Sequence, residues 1–90
     1  MEGTPRTLKV FIAQDDRCPF LEWLEALSDE RAAAKVKARL ARVRMGNFGH
    51  ARSLGGGLQE LKIDHGPGYR VYFGSRGNEI VILLCGGDKR

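Results

Sequence analysis

Hydrophobic and polar positions along the chain follow two periods, and the switches between them mark the elements. Leu8, Val10 and Ile12 alternate with Lys9, Phe11 and Ala13, and the β-branched content predicts a strand over Leu8–Ala13. Asp15-Asp16-Arg17-Cys18-Pro19 then supplies turn and capping types, with Pro19 suited to a first helical turn. Phe20, Trp23, Leu24 and Leu27 recur at helical spacing and predict a short helix over Pro19–Leu27. Ser28-Asp29 ends that run and offers a cap to a second helix, Glu30–Met45, which is rich in Ala, Arg, Lys and Leu and meets no Gly or Pro before Gly46. At about 100° per residue, Ala33, Val36, Leu40 and Val43 form its core stripe. Arg31, Lys35, Arg39 and Arg42 lie on one flank, Lys37 and Arg44 on the other, and the face of Ala34, Ala38, Ala41 and Met45 reads as helix filler.

Gly46–Gly57 holds five glycines with little periodicity and predicts a loop. A helix precedes it and a strand follows, the reverse of a phosphate-binding glycine fingerprint. Alternation resumes in Leu58–Asp64, with Gln59, Leu61 and Ile63 on one face and Glu60, Lys62 and Asp64 on the other. Gly66-Pro67-Gly68 turns the chain into Tyr69–Gly74, where Tyr69, Val71 and Phe73 face one way and Arg70 and Tyr72 the other. After Arg76-Gly77-Asn78, the strand Glu79–Cys85 is apolar on both faces and asks for cover on both. The order β-α-α-β-β-β predicts an α+β fold, a mainly antiparallel four-stranded sheet packed on two N-terminal helices.

Composition narrows the setting. Ninety residues make one domain, 1–90, with a thin core. Fifteen Lys and Arg against eleven Asp and Glu give +4, a modest bias toward a polyanionic partner that position along the chain must sharpen. Cys18 and Cys85 are too few for a disulfide framework and show no metal spacing, so they read as packing residues in a reducing cytoplasm, with a single bridge between them as the alternative. No cofactor or metal is expected. Met1–Val10 lacks the pattern of a secretory leader, and no apolar run reaches the roughly 18 residues of a membrane span.

Chemistry concentrates on the meander. Lys62 and Arg70 fall on neighbouring strands, and the intervening turn can bring both side chains to one sheet face; Glu60, two residues before Lys62, points the same way. Lys89 and Arg90 follow the last strand and extend the patch. Such a setting suits cleavage of a phosphodiester by its own 2′-OH, which needs a base, a cation to stabilise the phosphorane, and an acid for the departing 5′-oxygen. Arg70 fits the stabilising role because a guanidinium forks onto two phosphate oxygens, and Lys62 and Glu60 are the proton-transfer candidates. Tyr72 is a candidate stacking platform or a half-buried strand aromatic. Arg39 and Arg42 are candidates to hold RNA backbone, against the plainer reading of a solvated helix flank. His50 and His65 read as surface residues without a carboxylate partner and receive no role.

These residues also carry a resemblance. Phe20-Leu21-Glu22-Trp23-Leu24, Arg39-Leu40, Gly46-Asn47-Phe48-Gly49, Gly57 to Ile63, Gly66-Pro67-Gly68-Tyr69-Arg70-Val71-Tyr72-Phe73 and Leu83-Leu84-Cys85-Gly86-Gly87-Asp88-Lys89 resemble the phage-derived "addiction module killer protein" branch of the RelE/ParE/HigB toxin superfamily. The match runs over nearly the whole chain, and the GPGYR-VYF and LLCGGDK stretches are its specific parts. It implies a toxin of a type II toxin–antitoxin pair, held inactive in a hetero-oligomer by a cognate antitoxin, often of helix-turn-helix type. RelE- and HigB-like members cut mRNA on the ribosome without a metal; ParE-like members inhibit DNA gyrase. On this resemblance Arg70 falls on the arginine that contacts the scissile phosphate, Lys62 on a basic position of the active face, Glu60 where another basic residue often stands, and Lys89 or Arg90 on the basic residue after the last strand. The helix with which members usually close the fold is absent from the sequence, so an inactive toxin that keeps only antitoxin binding is a third reading.

Overall fold

The computed structural model describes residues 6–77 and 79–88. Its elements follow from local rules. Asp29 caps the second helix by accepting the backbone N–H groups of Arg31 and Ala32 at 2.9 and 3.3 Å, and Pro19 opens the first where no intrahelical donor is needed. In chain order they are β1 (Leu8–Val10), α1 (Pro19–Ala26), α2 (Glu30–Arg44), β2 (Ala51–Gly55), β3 (Leu58–Ile63), β4 (Tyr69–Arg76) and β5 (Glu79–Asp88). The strands form one open sheet in the order β1-β5-β4-β3-β2, with β1 parallel to β5 and every other pair antiparallel. The fold is therefore α+β with a mixed five-stranded sheet.

Three expectations change. The segment taken for a loop holds β2, because Gly55, Gly56 and Gly57 adopt φ of 95°, 61° and 84° and fold the chain back onto β3. Its Arg, Ser and Gly content carries little strand propensity, so pairing to β3 makes the strand rather than its own side chains. The first strand ends at Val10, and Phe11 and Ile12 beyond it are exposed at 41% and 50%. Only one more ladder bond, Phe11 N–H to the Leu83 carbonyl, follows before the chain turns at Ala13–Arg17. β5 runs past its expected end to Asp88, with its register shifted by a bulge opposite Tyr72 and Phe73.

Both helices cover one sheet face. Phe20 of α1 and Ala32, Val36 and Val43 of α2 pack on Leu61, Ile63, Tyr69, Val71, Phe73 and Leu83. Ala32 takes the place expected for Ala33, which is half-buried beside it together with Leu40. Trp23 lies so close over Gly86 that a Cβ there would sit 2.3 Å from the indole. Cys18 is a free thiol packed against this core. The side chains of Ile80, Val81, Ile82 and Cys85, on which the expected two-sided cover of the last strand rests, lie outside the described ones.

Candidate functional site

Register decides which charges meet. Lys62 pairs with Arg70 and Glu60 with Tyr72 across β3 and β4, while Arg52 of β2 pairs with Glu60. Because Leu61, Ile63, Val71 and Phe73 are the buried set, alternation turns Glu60, Lys62, Arg70 and Tyr72 to the face away from the helices. Lys62 and Arg70 thus stand directly opposite one another, a like-charge pair that would repel without a counter-ion.

Glu60 is that counter-ion. Its Oε2 lies 3.4 Å from Nη1 of Arg70 and its Oε1 3.2 Å from Nε of Arg52, and the side chain is 2% exposed. Its expected part as a proton carrier gains no support from this burial: held between two guanidinium groups, the carboxylate stands as their counter-ion. The contacts are close but poorly aligned, since among the described residues neither Glu60 Oε1 nor Nε of Arg70, both buried, meets a hydrogen-bond partner. Arg52, 65% exposed at its side chain, was hidden to sequence reasoning inside the supposed loop. The one available signal was Ala51-Arg52-Ser53-Leu54 set between glycines.

Two grooves open beside this row. One of about 200 Å³ is lined by His50, Ala51, Arg52, Glu60 and Lys62. The other, of about 310 Å³, lies between α2 and β3 and is lined by Lys35, Ala38, Arg39, Arg42, His50, Lys62, Ile63 and Asp64. Lys62 and His50 line both, so the basic flank of α2 and the charged sheet face communicate at these two residues.

Arg42 is exposed on that flank, whereas Arg39 is turned inward. Its Nη1 and Nη2 donate to the backbone carbonyls of Lys62 and Phe48, each at 2.9 Å, and brace the loop before β2 against β3. Burial, and the like charge of Arg42, push its guanidinium down from the ordinary arginine range, with Asp64 opposing; it remains charged. Tyr72 is half-buried on the charged face. Lys89 and Arg90 lie outside the described residues. His65, expected to lack a carboxylate, has its Nε2 3.1 Å from Oδ2 of Asp29, which ties the turn between β3 and β4 to the start of α2. Among the described residues no three His, Cys, Asp or Glu side chains come together as a metal site would require, and no helix is long and apolar enough to cross a membrane.

No family model matches the chain, and no solved structure does. A protein of Haemophilus influenzae, described as an uncharacterized protein, is 51% identical to it over 70 residues, which span 78% of this chain and 71% of the relative. With that identity over that share of both sequences, the chain belongs to the same family as the Haemophilus influenzae protein.

Proposed function

We propose that the protein is the toxin of a type II toxin–antitoxin pair, built on a RelE-like core, and that it acts in the cytoplasm as a metal-independent endoribonuclease on mRNA held by the ribosome. The observation that carries this reading is the Lys62–Arg70 cross-strand pair on an open sheet face, two cations fixed side by side next to a basic groove. Arg70 forks onto the non-bridging oxygens of the scissile phosphate and stabilises the phosphorane as charge builds there. Lys62 protonates the departing 5′-oxygen, and His50, on the same groove, accepts the proton of the attacking 2′-OH, leaving a 2′,3′-cyclic phosphate. Arg42 and Tyr72 hold the flanking strand by charge and stacking. The sequence resemblance supports the pairing with an antitoxin that neutralises the toxin in a hetero-oligomer.

Expression of the chain without antitoxin, followed by mapping of transcript ends, tests the proposal. Growth arrest with new 5′ ends inside translated mRNA is expected, and Arg70→Ala should lower cutting about a hundredfold or more. Arrest with intact transcripts and DNA-damage signalling would replace the nuclease by a gyrase inhibitor. Antitoxin binding without arrest would reduce the protein to an inactive toxin.

A further inference from the structure

The Glu60 carboxylate is buried, charged and shared. It meets Arg52 from β2 on one side and Arg70 from β4 on the other, through one oxygen each. A buried carboxylate with one cation would be a closed pair; this one has two, with Lys62 a third on the same face. The local excess is cationic, and Arg52 keeps 65% of its side chain in solvent, so contact through Nε does not take its guanidinium out of a ligand's reach. Among the described residues Glu60 Oε1 and Arg70 Nε make no hydrogen bond, so the Glu60–Arg52 contact is an ion pair held by charge, which leaves the guanidinium donors of Arg52 uncommitted to the carboxylate.

We infer that Arg52 is a second phosphate-binding residue of this face, and that Glu60 is a positioning residue that sets Arg52 and Arg70 as two prongs for consecutive phosphates of a single-stranded RNA. β2 and β4 flank β3, and Arg52 lies opposite Glu60 while Arg70 lies opposite Lys62, so the two arginines rise from backbone positions about 12 Å apart, wider than one phosphate group, while their shared carboxylate draws the heads together. Arg70 takes the scissile phosphate and Arg52 its neighbour, which fixes the strand's direction across the sheet. For its substrate the inference rests on the RNA-cutting reading, and its test is chosen to separate the two.

The probe is a short single-stranded RNA, 2′-O-methylated throughout so that it cannot be cut, titrated against the full chain by fluorescence anisotropy at several salt concentrations. Arg52→Ala is expected to weaken binding five- to tenfold and to lower the slope of log affinity against log salt by about 0.7, as the loss of one single-strand phosphate contact should. Lys37→Ala, on the other flank of α2, is the control and should change neither. Glu60→Gln keeps the side chain's volume and removes its charge: binding should hold or tighten while cutting of mRNA on programmed ribosomes falls tenfold or more. A merely structural role would lower binding, cutting and melting temperature together, and a proton-transfer role would remove one limb of the pH–rate profile; either result overturns the assignment of Glu60. Arg52→Ala binding like the wild type overturns the assignment of Arg52 even where Arg70→Ala abolishes cutting, and no binding by the wild-type chain overturns the inference whole. Binding with the expected slopes but no cutting of translated mRNA would leave the two-pronged grip in place and sink the nuclease.

Discussion

The two faces of the β3–β4 hairpin are made from the same twelve or so residues and held by different physics. On one, Leu61, Ile63, Val71 and Phe73 are 2% exposed or less under the helices; on the other, Glu60, Lys62, Arg70 and Tyr72 form a charged surface. Burial of the first face is non-directional and sensitive to volume. The second depends on a few charges whose meeting is fixed by strand register alone, since a slip of one residue would send Lys62 and Arg70 into the core. A small domain can thus carry a cluster of charges on a sheet without hollowing its core.

Adjacent residues of β4 give the sharpest way to break that comparison. Phe73→Ala removes a ring that is 1% exposed and stacks at 5.7 Å on Phe48, and should cost about 3–5 kcal/mol, a large share of the whole stability of a domain this size. Tyr72→Ala, one residue earlier and facing the other way, should cost about 1 kcal/mol. Urea titration of both measures the contrast, and similar losses would mean that the charged face carries packing energy too. Next in size is Gly86→Ala. Its methyl group would sit 2.3 Å from the Trp23 ring, so about 1–3 kcal/mol should be lost to overpacking, and the loss should shrink when the same change is made in a Trp23→Leu background.

Periodicity made most of this hairpin legible. The alternation in Leu58–Asp64 and Tyr69–Gly74 gives both faces residue by residue, and the turn between them puts Lys62 and Arg70 on one face; that they stand directly opposite one another is read from the ladder. What it did not give depends on contacts distant in sequence. β2 owes its extended form to β3, and Arg52 and the burial of Glu60 are hidden with it. Arg39 looks like any solvated helix arginine until the loop at Phe48 folds beneath it. His65 and Asp29 are 36 residues apart, and only the packing of the hairpin against the start of α2 joins them.

That last contact yields the smallest expected effect and the finest test of how separate the two faces are. Hydrogen bonds from the Ala32 backbone, from His65 and from the Arg31 backbone hold the Asp29 carboxyl below its ordinary range. A carboxyl lowered by folding adds stability that is fully present above its unfolded pKa, about 3.9, and is lost as pH falls through the lower folded value. Asp29→Asn keeps a good helix cap without the charge, so its melting temperature should fall a few degrees short of the wild type at pH 7, and the gap should close as pH drops through the acid range. A gap that stays constant with pH would place the effect in cap geometry instead of charge. The same variant should bind single-stranded RNA at pH 7 as the wild type does. Six ladder pairs, from Leu58 with Gly74 to Ile63 with Tyr69, set the register of Lys62 against Arg70, and none of them involves His65 or Asp29.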